Sequence, residues 1–200
     1  MKLTKAKQEQ RTALTMQVRA AADAAGMDAM DGALLVERLA ETEGLTEWAA
    51  MDTLLRRGSK SVPALLAGLS HRSGKIRATC ALLLDHVADD RCISPLLEAI
   101  RHDPRESVRR CALHSLICDG CKECPLTTDV VSTLLEVAGN DRSVAVRRHA
   151  VFYLSQQRPD ARVAPFLENL RATEKDPVLL RRVEDTLKQH TKTLVAMTDE

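Results

Sequence analysis

Three stretches of this 200-residue chain repeat one phrase: a short hydrophobic residue, one or two arginines, then small and apolar residues at helical spacing. The phrase runs from Ile76-Arg77 to Leu84, from Val108-Arg109-Arg110 to Leu116 and from Val146-Arg147-Arg148 to Leu154. Weaker copies start near Thr46 and near Leu179 or Leu180. Start points 32 and 38 residues apart lie in the range of stacked helical pairs. Each such pair is too small to bury its own apolar face and must be covered by its neighbours. Strands find no support, because the apolar residues recur every three and four positions and no β-branched run is bounded by hairpin turns.

Between the arginine-bearing helices the sequence places helices of another kind. They carry Leu34, Leu35 and Leu39, then Leu65, Leu66 and Leu69, then Ile93, Leu96, Leu97 and Ile100, then Val130, Leu134 and Leu135, then Val163, Phe166, Leu167 and Leu170. Asp31 and Thr46 are expected to cap the helices that follow them. Pro63, Pro95 and Pro165 fall in first turns, where a missing amide proton costs little. Helix breaks are expected near Gly44, Gly58, Gly74, Asp103, Gly120, Asp141 and Asp176. Ahead of the array, Thr4 to Ala25 reads as an amphipathic helix with Leu14, Val18, Ala21 and Ala25 on one stripe, ended by Gly26. It matches no repeat copy, and its expected task is to cap the first pair. The expected fold is all-α, a right-handed α-α superhelix: an N-terminal capping helix at 1–26, a solenoid of about five helical pairs at 27–190 and a polar C-terminal tail at 191–200.

Aromatic residues make up only 2% of the chain, so its interior must be packed from Leu, Val, Ala and Met, which suits short helices pressed together. Lys and Arg number 29 against 28 Asp and Glu, so no global basic field draws the chain to nucleic acid or an anionic membrane. No apolar run approaches the roughly 20 residues needed to span a bilayer. The start, Met1-Lys-Leu-Thr-Lys, carries charge with no apolar core behind it, unlike a secretory signal. A cytoplasmic location is expected, where six cysteines serve as thiols or metal ligands more than as disulfides.

The stretches Asp103-Pro-Arg-Glu-Ser-Val-Arg-Arg-Cys-Ala-Leu-His-Ser-Leu and Asp141-Arg-Ser-Val-Ala-Val-Arg-Arg-His-Ala-Val-Phe-Tyr-Leu resemble HEAT repeats, in particular the short bacterial variety also found in phycobilin lyase subunits. The resemblance covers roughly residues 30–190. It implies a ladder along the stack, in which an aspartate in the turn between paired helices and an arginine six residues later are hydrogen-bonded. Asp103 with Arg109 and Asp141 with Arg147 have that spacing. Asp176 with Arg182 has it too, but Val183 and Leu187 fit the core better when the register slips by one. The first two pairs lack the aspartate. This scaffold hosts many unrelated roles, so the resemblance informs on fold and scarcely on function.

In that family the second helix of each pair lines the concave surface. At about 100 degrees per residue, positions two, six and nine after the leading apolar residue turn away from it. They hold Trp48, Ala78, Arg110 and Arg148, then Asp52, Leu82, His114 and Phe152, then Leu55, Asp85, Ile117 and Ser155. Trp48, Leu82, Arg110, His114, Arg148 and Phe152 form the expected partner-binding set, because aromatic, apolar and arginine side chains together make interface hot spots. Packing of Leu82 and Phe152 against neighbouring repeats, with Arg110 and Arg148 merely solvated, is the alternative.

Cys111, His114, Cys118, Cys121 and Cys124 coincide with the longer repeat interval, so an insertion lies where the cysteines are. Cys111, His114 and Cys118 share one helix stripe, and Cys121 and Cys124 follow in a loop with Gly120. Four of the five can surround a tetrahedral zinc, and three thiolates can hold iron and sulfur. Cys121 and Cys124 can also close a disulfide or act as a redox pair, and a packed loop with free thiols is the remaining reading. No cofactor is expected apart from zinc at these five residues.

The chain has no phosphate-cradling glycine loop, no nucleophile elbow and no His-Glu pair of the kind used by di-iron enzymes on this scaffold, so no enzyme is expected. The expected function is a scaffold that binds another protein on its concave face. The alternatives are a nucleic-acid or phosphate-binding module using Arg110, Arg148 and neighbouring arginines, and an accessory lyase- or chaperone-like subunit for a cofactor-bearing protein.

Overall fold

The computed structural model describes residues 5–42, 44–122 and 124–198, with side chains described between 7 and 190. The described residues form α-helices joined by short 3-10 turns, with no strand among them. Helix α1 (Lys5–Ala24) precedes five pairs: α2 (Gly32–Arg38) with α3 (Thr46–Arg56), α4 (Val62–Gly68) with α5 (Gly74–Val87), α6 (Ile93–His102) with α7 (Glu106–Ile117), α8 (Val130–Asn140) with α9 (Val144–Leu154), and α10 (Val163–Thr173) with α11 (Pro177–Thr198). Each pair packs on itself; the first two pairs meet through both their helices, and the later pairs mainly through their second helices, with α5 lying along α7 and α9 along α11. None of these helices is long and apolar enough to cross a membrane.

One apolar cluster runs the length of the stack, from Val18 to Leu187. The leading residues Ile76, Val108 and Val146 and the closing Leu84, Leu116 and Leu154 of the repeated phrase are all fully buried in it. Core side chains press closely on Gly68, where an added Cβ would lie 2.4 Å from the Cys80 sulfur and 3.2 Å from a Val36 methyl. Gly68→Ala should therefore destabilise the protein by about 1–2 kcal/mol in urea denaturation, overpacking outweighing the helix propensity gained. A stabilised variant would show that α4 can slide away from α5.

The breaks fall where residues of special conformation stand. Gly44 and Gly58 adopt φ of 63° and 58°, the left-handed region in which a side chain would strain the backbone. Asp103 and Asp141 end α6 and α8 in extended conformation, and each carboxylate accepts the amide two residues on, from Arg105 at 2.8 Å and Ser143 at 2.7 Å. Such Asx turns let an aspartate reverse the chain without glycine.

The two ends of the stack differ from the sequence reading, one in its packing and the other in its extent. Helix α1 lies on α3 through its C-terminal half only: Val18 and Ala22 are buried, whereas residues 7–17 are exposed, Leu14 among them, and so is Ala25. At the other end, α11 continues as backbone helix to Thr198, past the boundary set at His190, because residues 191–198 contain no glycine or proline to stop it. Residues 199–200 of the expected tail lie outside the described residues.

Candidate functional site

The phrase's arginines line up as a row that ties each repeat to the next. Arg77 donates from Nε and Nη2 to Asp103 at 2.6 and 3.0 Å, and Arg109 does the same to Asp141 at 2.8 and 2.9 Å. The third nitrogen reaches back to the carbonyl six residues earlier: Arg77 Nη1 to His71 at 2.9 Å, Arg109 Nη1 to Asp103 at 3.0 Å and Arg147 Nη1 to Asp141 at 3.1 Å. The spacing of six thus sets a backbone contact, while the ion pair is made with the following repeat. In the last repeat Glu174 takes the aspartate's place, 2.8 Å from Arg147 Nη2. Asp176 does not serve Arg182 but receives both prongs of Arg148 at 2.9 and 2.6 Å. The one-residue slip that buries Val183 and Leu187 sends Arg182 over the Phe152 ring instead, 5.4 Å from its centroid.

Of the six residues expected to bind a partner, Trp48, Leu82 and Phe152 stand 56%, 41% and 41% exposed. Arg110 is also exposed, with Glu106 3.7 Å away. Arg148 is committed to Asp176, and His114 is held between two neighbouring helices. The outermost row turns inward in the middle of the stack, where Asp85 and Ile117 are buried. Over Asp85 the cause is the insertion, which folds back onto the preceding repeat. Leu126 is buried beneath it, the Thr127 amide donates to Asp90 at 2.9 Å, and Lys122 lies buried 3.6 Å from Asp85.

This fold-back assembles a compact cluster. Asp85, His114, Cys118 and Cys121 present a carboxylate oxygen, a ring nitrogen and two sulfurs all within 4.8 Å of one another. His114 Nε2 lies 3.1 Å from Asp85 Oδ2, and its Nδ1 lies 2.8 Å from the Tyr153 hydroxyl. The two sulfurs are 3.3 Å apart, and the Lys122 ammonium donates to the Cys118 carbonyl at 2.5 Å. Burial works to raise the Asp85 pKa, but His114, Cys121 and Lys122 outweigh it and hold the carboxyl below its ordinary value. The Asp85 carboxylate and Cys118 push the Cys121 thiol up to about 12.

Three of the five residues read as metal ligands are thus brought together, and two are not. Cys111 packs partly buried against the core, and Cys124 lines a separate groove with Pro125 and the turn after α5. Asp85 joins them and is not among the five. Its signal was an acid near the end of a core-lining helix, at a repeat position filled elsewhere by Leu55, Ile117 and Ser155.

Residues 32–117 match the model of a family described as HEAT repeats. A chain of the complex of CpcE and CpcF of phycocyanin lyase from Nostoc sp. PCC7120 has a similar structure, with a TM-score of 0.61 at 20% identity over 78% of this chain and 96% of that one. A designed armadillo repeat protein, YIII(Dq)4CqI, gives a TM-score of 0.43 at 14% identity over 79% of this chain and 81% of its own. No curated protein matches the sequence.

Proposed function

We propose that this HEAT-repeat chain is a non-enzymatic scaffold that holds another protein against the face formed by its second helices. The observation that carries this reading is the row Leu82, His114 and Phe152. Two large apolar side chains are left exposed at the same position of different repeats, on helices whose opposite sides are fully packed. Trp48 extends the apolar surface on α3, and Arg182 over Phe152 adds the cation that interface hot spots favour. The phosphate-binding alternative loses most of its donors, since Arg77, Arg109, Arg147 and Arg148 all pair with carboxylates. The similar chain from Nostoc belongs to a complex of two proteins, which supports a protein partner here.

The test uses Phe152→Ala and Leu82→Ser, surface changes that should shift stability by no more than about 1 kcal/mol. Each should weaken capture of the partner by about tenfold in a pull-down, the loss typical of a hot-spot truncation. Arg148→Glu is unsuitable, because it would break the pair with Asp176. Binding that survives both substitutions and falls steeply with added salt would replace the protein partner with a phosphate-bearing one.

A further inference from the structure

The donors at the insertion come from separate parts of the chain and meet at one point. Asp85 sits near the end of α5, His114 in the last turn of α7, Cys118 just beyond it and Cys121 in the following 3-10 turn. Ligands about 2.0–2.3 Å from a tetrahedral ion lie no more than about 4 Å apart, so a cluster confined to 4.8 Å needs little movement to close around one. Two sulfurs, an imidazole and a carboxylate suit zinc and not the hard cations calcium or magnesium.

Two further observations point the same way. Asp85 Oδ1 is buried and makes no hydrogen bond, the Lys122 ammonium standing off at 3.6 Å, so the atom keeps an acceptor site that folded proteins ordinarily satisfy. His114 is already oriented, its Nδ1 engaged by the Tyr153 hydroxyl and its Nε2 turned to the cluster, the outer-shell arrangement that fixes a metal-binding tautomer.

We propose that Asp85, His114, Cys118 and Cys121 bind one zinc ion, which fastens the insertion to the ends of α5 and α7. On binding, the two thiols release their protons to solvent and no group is oxidised or reduced. Two thiolates and a carboxylate are then balanced by the ion and the buried Lys122 ammonium, leaving the site neutral. The ion also fixes His114 in the exposed row between Leu82 and Phe152, although the proposal stands without any reading of that row.

The experiment uses the full chain, reduced and stripped of metal, titrated with cobalt(II) and then zinc(II). One equivalent of cobalt should give sulfur-to-metal charge transfer and the intense visible bands of a tetrahedral ion, and zinc should bleach them. Zinc should raise the melting temperature of the native sequence, with no effect on a Cys118→Ser, Cys121→Ser double variant whose helical circular dichroism is intact. Tyr153→Phe should weaken zinc affinity about 10–100-fold, while Cys111→Ser and Cys124→Ser should leave the cobalt spectrum unchanged. If the double variant does not fold, Asp85→Asn supplies the second route, with weakened affinity and all thiols present. No cobalt absorbance from the reduced protein would overturn the site. So would a Cys118–Cys121 disulfide that persists in the isolated protein whatever the zinc supply, or binding lost with Cys111 or Cys124 and kept without Cys118.

Discussion

Arg109→Ala should destabilise the protein by about 3–5 kcal/mol, the loss that follows when one member of a buried ion pair is removed. The Arg109 and Asp141 side chains are 3% and 5% exposed, so solvent cannot replace the missing guanidinium. The variant would leave Asp141 with the Ser143 amide alone, and the Asp103 carbonyl with only Arg142 Nη2 at 2.7 Å. Because repeats contact only their neighbours, the damage should be confined to the junction of the third and fourth pairs. Urea denaturation followed by circular dichroism should then show the α8–α11 half unfolding ahead of the rest, in place of one transition. Arg109→Lys should recover only part of the loss, since an ammonium cannot span both carboxylate oxygens and the carbonyl together. A loss below about 1 kcal/mol for the alanine variant would mean that apolar packing alone holds the pairs in register.

Whatever depended on local order was legible in the sequence. The five pairs follow from apolar residues at helical spacing and from Gly44, Gly58, Asp103 and Asp141 between them, each acting on its own backbone. Partner choice across the stack was not legible. A spacing of six shows that Asp103 and Arg109 recur together, but the guanidinium fork has two sides, and only packing decides that its carboxylate is Asp141 of the next repeat. The cysteine cluster divides in the same way. His114, Cys118 and Cys121 are near neighbours in the chain, whereas Asp85 arrives because α5 lies along α7. Cys111 would share the stripe only if α7 continued through Cys118. The helix instead ends at Ile117, and Cys118 takes φ −79° and ψ 101°, turning its sulfur toward Cys121.

Asp103→Asn should cost about 2–3 kcal/mol at neutral pH, the range for charge-assisted bonds lost from a buried site, and that cost should disappear in acid. Burial by itself would raise the Asp103 pKa. The bonds from Arg77, the Arg105 amide and the charges of Arg77 and Arg109 outweigh it, so the folded carboxyl titrates below its ordinary value. A depressed folded pKa contributes stability that is complete above the unfolded value of about 3.9 and is lost as pH falls through the folded one. The contribution of Asp103 should therefore be nearly flat between about pH 7 and pH 5 and fall below about pH 4. Glu136 and Glu174 add to that fall, the first carboxyl being lowered by Arg101 and the second, against burial, by the Asp176 amide and then Arg147. The asparagine of the variant keeps the side-chain shape and an acceptor for the Arg105 amide but has nothing to protonate, so its own acid decline should be shallower. Denaturation midpoints of the two proteins, far apart at pH 7, should converge toward the bottom of that window. A gap that stays constant from neutral pH into acid would mean that Asp103 acts through its turn geometry alone, and that its charge adds nothing to the row of arginines.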